Sequence, residues 1–137
     1  MHRPAEDELL CPVLGWLAAA DVASLAVNVP SHGRSRADVV GKRSDNSIIA
    51  VEIKVRDWPR AVHQAILNRY FASESYIAVW WSAITPQCER ECARQSVGLI
   101  SVERERCQLV LLPGPSAVHD KLAETIRQRL GALCGTT

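Results

Sequence analysis

What this sequence lacks removes several classes at once. No apolar run approaches the roughly 18 residues a membrane-spanning helix requires, because Pro12, glycines and charges interrupt the longest ones. The opening "MHRPAEDELL" is charged where a secretory leader would be apolar, so no membrane association and a cytoplasmic location are expected. There is no internal repeat, no low-complexity stretch and no linker long enough to divide the chain. With 47% hydrophobic and 23% charged residues, the expectation is one ordinary domain over 1–137. The five cysteines are odd in number and follow no framework spacing, so they read as reduced thiols. Cys88 and Cys92 share a helix face, but no second Cys/His pair accompanies them, and a zinc site is not expected. A net charge of +1 does not announce a nucleic-acid binder.

What is present is a clear run of elements. Leu9, Leu10, Val13, Leu14 and Leu17 recur at helical spacing over 5–20. Pro12 predicts a kink or a restart there. Glu6 falls at the centre of that stripe and is expected to point toward the core or a cleft in it. Strands follow at 24–29, 36–42 and 48–55, with a short polar turn making the second and third an antiparallel hairpin. Asp57 caps a helix running from Trp58-Pro59 to about Ala72. A strand at 75–81, a helix opened by Thr85-Pro86, strands at 98–103 and 107–112, and a helix from Ser116 to Leu133 complete the chain. The stripe Val118, Leu122, Ile126 and Leu130 is core. Hairpins mixed with helix-linked strands predict an α/β fold with a mixed central sheet flanked by helices.

One strand breaks the pattern. "IIAVEIKV" is apolar except for Glu52 and Lys54, and charged groups are seldom buried without a partner or a task. Two apart on a strand, they share a face. Asp38, in the preceding hairpin strand, lies beside Glu52 in one register. Two such carboxylates repel, and a divalent cation relieves the repulsion. A small set of hard oxygens suits Mg²⁺, which keeps several waters. The Ile53 carbonyl lies between the two side chains as a further oxygen, and a lysine beside a metal can steady charge building on a phosphate.

Asp…Glu-x-Lys on a hairpin, followed by a helix containing glutamine, resembles the PD-(D/E)XK nuclease superfamily, the fold of restriction endonucleases. The segments that carry the resemblance are "RADVV", "IIAVEIKV" and "RDWPRAVHQAILNRYFASESYIAVW". It spans about 5–81, with 82–137 as a C-terminal extension to an αβββαβ core, and is nearest to small single-domain members. The resemblance implies Mg²⁺, with Mn²⁺ as a substitute, held by Asp38, Glu52 and the Ile53 carbonyl. It implies Lys54 as the catalytic lysine, Gln64 as the glutamine near the active site, and Glu6 as the first-helix acid of a subset of members. Tyr70 matches an aromatic residue that sometimes follows the glutamine. Ala37 stands where the family's name has proline. The implied activity is hydrolysis of DNA phosphodiester bonds leaving 5′-phosphate and 3′-hydroxyl ends. Cutting both strands needs two sites, so a homodimer belongs to that expectation.

Charge distribution points the same way. Residues 31–70 hold eight basic and four acidic residues, whereas the remainder holds eight and eleven. Arg34, Arg36, Arg56 and Arg60 surround the candidate carboxylates in sequence and are expected to meet a phosphate backbone; the plainer reading is a solvated face. His32 and His63 read as loop and helix-surface residues, and Trp80 and Trp81 as one buried and one exposed ring. Two rivals stand beside the nuclease. One is a catalytically inactive module of the same fold that binds nucleic acid or a protein partner. The other is an unrelated α/β domain in which Glu52 and Lys54 form a surface pair, which requires Asp38 and Glu52 to lie far apart.

Overall fold

The structure, a computed structural model, describes residues 4–31 and 33–133. Among the described residues, four helices and six strands follow one another: α1 Glu6–Ala19, β1 Val22–Pro30, β2 Arg36–Arg43, β3 Ile48–Lys54, α2 Trp58–Asn68, β4 Glu74–Trp80, α3 Pro86–Arg94, β5 Gly98–Glu103, β6 Arg106–Leu111 and α4 Asp120–Leu133. A single 3₁₀ turn, Trp81–Ala83, follows β4. The sheet runs β1-β2-β3-β4-β5-β6 in space. The first three strands and the β5–β6 hairpin are antiparallel, while β3, β4 and β5 are parallel. This is the expected mixed sheet with flanking helices. No helix among the described residues is long and apolar enough to cross a membrane.

Side-chain alternation assigns the two faces. Ile49, Val51, Ile53, Tyr76, Ala78, Ile100 and Val102 meet Leu9, Val13 and Leu17 of α1. The opposite face carries Ile77, Val79 and Leu99 under α2 and α3, and Val40, Ile48 and Ala50 under α4. The two parallel crossovers therefore place α2 and α3 on one side, as right-handed connections between successive strands require.

Local chemistry explains most boundaries. Asp57 accepts the Arg60 N–H and Thr85 accepts the Cys88 N–H, each followed by a proline in the first turn. Glu6, Asp7 and Glu8 complement the dipole at the start of α1. Arg43 links three elements: two nitrogens hold Glu74 at 2.6 and 3.1 Å, and Nη1 caps the Ala20 carbonyl at 2.9 Å after α1.

Three expectations need correction. Of the kink or restart expected at Pro12, the restart does not occur, and α1 is one helix through that position. The second helix stops at Asn68, because the Arg69 and Tyr70 amides bond three residues back and tighten the last turn. The last helix starts at Asp120, not Ser116. The stretch before it is tied across the fold instead: the His119 N–H donates to the Tyr70 carbonyl, and Arg69 holds the Pro115 carbonyl.

Leu17 is fully buried where α1 meets the sheet. Leu17→Ala is expected to cost about 3 kcal/mol, read as a lower urea midpoint with an unchanged slope.

Candidate active site

The hairpin register decides whether the site exists. Val39 pairs with Val51 and Val40 with Ala50, so Asp38 stands next to Glu52 in the continuing register. Regular pairing ends there, and side chains take over from the ladder. The Ile53 N–H donates to Asp38 Oδ2 at 2.8 Å, and the Asp38 N–H donates to Glu52 Oε2 at 3.2 Å. Each carboxylate thus fastens the strand that carries the other. The rival in which they lie far apart is excluded.

Glu52 is only 4% exposed. Burial first, and then the neighbouring Asp38 charge, push its carboxyl up to about 8. Hydrogen bonds from Asn68 and from the Asp38 amide oppose that shift. At neutral pH and without a cation, Glu52 is therefore largely protonated.

Asn68 is the participant that sequence reasoning missed. It is fully buried on α2, and its Nδ2 donates to Glu52 Oε2 at 2.8 Å. Its Oδ1 has no hydrogen-bond partner among the described residues. A signal was available: Asn68 falls in the stripe Ala61, Ala65, Asn68, where a polar residue must find a buried partner.

Lys54 ends β3, and its Nζ lies 3.7 Å from Glu6 Oε1, with both side chains substantially exposed. Glu6, expected toward the core or a cleft in it, is exposed and lies outside the core, beside Lys54. Its angular position matches the stripe of Leu9, Val13 and Leu17, but it is the first residue of α1 and overhangs the core. Gln64, one turn before Asn68, sits partly exposed with Nε2 3.5 Å from the Arg36 carbonyl, at the limit of a hydrogen bond. Arg34, Arg36, Arg56 and Arg60 are all exposed, as are His63 and Tyr70. Trp80 is half-buried, and Trp81 is 50% exposed. His32 lies outside the described residues.

Among the described residues, no three His, Cys, Asp or Glu side chains converge as a metal cage. Two adjacent carboxylates fit a small hard cation that completes its shell with water and substrate oxygens. An extended residue turns its N–H and C=O toward the same strand edge, so the Ile53 carbonyl faces the side of β3 where Asp38 sits. Cys88 and Cys92 are buried in the apolar layer beneath α3, away from this chemistry.

No protein-family model matches the sequence, and no curated protein matches it. The fold is similar to that of SPO1766, a protein of unknown function from Silicibacter pomeroyi, with a TM-score of 0.76 at 15% identity over 96% of this chain and 87% of that one. It is also similar to a repair endonuclease from Pyrococcus abyssi, with a TM-score of 0.52 at 15% identity over 76% of this chain and 49% of that one. The architecture is thus restriction endonuclease-like.

The Glu52 shift makes stability depend on pH. A carboxyl raised from 4.5 to about 8 on folding contributes stability that is complete below its ordinary value and is lost as pH rises through the folded one. The cation-free melting temperature is expected to fall between about pH 5 and pH 9. Glu52→Gln should flatten that decline; an equally steep profile in the variant would locate the titration elsewhere.

Proposed function

We propose that this chain is a divalent-cation-dependent phosphodiesterase acting on DNA. One observation carries the reading: Asp38 and Glu52 are held side by side, Glu52 by the Asp38 amide and Asp38 by the Ile53 amide, with Lys54 two residues beyond Glu52 on the same strand. The two acids sit where the β2–β3 ladder ends, and each accepts a backbone amide there. Burying them raises the cost of charging Glu52.

Asp38, Glu52 and the Ile53 carbonyl would hold Mg²⁺ or Mn²⁺. The cation would supply Lewis acidity toward the phosphate and make hydroxide accessible near neutral pH. Lys54 would place its ammonium against the phosphoryl oxygens as negative charge builds on them. Its exposed pair with Glu6 is weak enough for a phosphate to displace. Water attacks phosphorus in line, the bond to the 3′ oxygen breaks, and that oxygen leaves as a hydroxyl. Gln64, one turn from Asn68, would orient substrate at the edge of the site. Arg34, Arg36, Arg56 and Arg60 would meet the backbone phosphates as exposed cations. The fold likeness to a repair endonuclease supports this reading, as does the excess of basic residues over 31–70.

A module that binds without cutting is the second reading, with DNA or a protein as its partner. The observation favouring it is that both carboxylates already accept protein donors, which is enough for a purely structural junction.

Cleavage of supercoiled plasmid and single-stranded DNA separates the two. With Mg²⁺ or Mn²⁺ the wild type is expected to cut, and Lys54→Ala to cut about 10²–10³-fold more slowly with an unchanged melting curve. Calorimetric titration with Mn²⁺ is expected to give a site that disappears in Asp38→Asn. A folded wild type silent in both measurements leaves the binding module.

A further inference from the structure

We propose that Asn28 is a positioning residue for the carboxylate pair: its left-handed backbone removes one rung of the β1–β2 ladder and frees the Asp38 amide to hold Glu52. The inference rests on the reading of Asp38 and Glu52 as cation ligands and extends that site by one strand.

The ladder itself shows the interruption. β1 pairs with β2 at Val27↔Val39 and again at Val29↔Ala37, and the pair between them, Asn28 with Asp38, is absent. No residue is inserted, because the register is the same on both sides. Both strands turn there, since Ala37 and Val39 of β2 lie on opposite faces of the sheet, and the residue in the left-handed region is Asn28, whose φ is 54°. Asparagine enters this region far more readily than most non-glycine residues, and β-branched residues are strained there.

Hydrogen-bond direction supplies the consequence. In an antiparallel sheet, successive residues of a central strand point their N–H groups alternately to one neighbour and the other. The Arg43 N–H donates to the Ser47 carbonyl in the β2–β3 hairpin. Counting back along β2, Gly41 and Val39 face β3, and Asp38 faces β1. The Asp38 N–H belongs to the Asn28 carbonyl in a regular ladder. It donates instead to Glu52 Oε2, at 3.2 Å, on the strand at its other side.

The flanking side chains record the same turn. Val27 and Val29 would share a face in a regular strand, yet Val27 is 46% exposed and Val29 is fully buried with Ala37 in the layer under α4. Beyond the break the pairing continues, ending with the Ser31 N–H on the Ser35 carbonyl at 2.9 Å. Asn28 is exposed, so its value lies in its backbone, not in packing.

The Asp38 amide resonance reports the bond directly. In the wild type, Glu52→Gln removes a carboxylate acceptor and is expected to move that resonance. In an Asn28→Thr background the restored rung should abolish the response, whereas Asn28→Gly, which tolerates a positive φ, should keep it. Mn²⁺ affinity by calorimetry is expected to fall about tenfold in Asn28→Thr and to be recovered in Asn28→Gly. Should Asn28→Thr fail to fold, Asn28→Ala carries the same comparison. An Asp38 amide that still responds to Glu52→Gln in the Asn28→Thr background overturns the positioning role. A wild type that binds no Mn²⁺ overturns the cation reading, and the amide comparison still decides the role of Asn28.

Discussion

The site depends on a handover at one junction, where two antiparallel strands stop bonding backbone to backbone and begin bonding backbone to carboxylate. Asp38 takes the Ile53 amide and Glu52 takes the Asp38 amide. The Ile53 donor would otherwise be unpaired where β2 and β3 part, and an unpaired buried amide is costly. The two acids meet a real need of the backbone and are held rigidly by meeting it. Burial of Glu52 and, after it, the repulsion from Asp38 remain, and the raised Glu52 carboxyl expresses both. A one-residue slip of β2 would turn Asp38 to the other face of the sheet, so the hairpin turn and the apolar alternation of both strands act indirectly on the site.

The remaining elements hold that junction in place. β3 is central and buried on both faces, which fixes Glu52 and limits its access to the end of the strand. α2 crosses over that end and delivers Gln64 and Asn68 from successive turns. α1 lies on the opposite face, and only its first residue reaches around to Lys54. Ligand sites in open α/β sheets tend to form beyond the carboxyl ends of the parallel strands, and Lys54 ends β3 beside Val79 of β4.

Much of this was legible in the chain. Alternation within "IIAVEIKV" marked a core strand with two misplaced charges, and the caps at Asp57 and Thr85 marked two helix starts. The partnership of Asp38 with Glu52 followed from a short hairpin, since only one register places them together. For Glu6 a helical wheel gave an angle but not a depth, so it did not choose between the core and a cleft, and the side chain is exposed beside Lys54. The start of α4 was misjudged because long-range bonds to Tyr70 and Arg69 compete with helix formation there. Asn28 sits in a run, "SLAVNV", whose propensity is for strand. Only the missing rung and its φ reveal what it does.

Asn68 explains how the protein tolerates a buried acid. Leucine at that position would strip Glu52 Oε2 of its 2.8 Å donor. Aspartate would add a third negative charge to a pair that already repels. A carboxamide can do what neither can. Its Nδ2 donates to the carboxylate, and its Oδ1, otherwise without a partner, can accept from the carboxylic acid once the amide turns over. Glu52 near 8 is poised between those two states. Binding a cation would release the Glu52 proton, and the Asn68 donor would then stabilise the charged form left behind. The same residue would thus serve both the acid and a cation-loaded carboxylate, and its bond to Glu52 accounts for a polar side chain in the otherwise apolar stripe of α2.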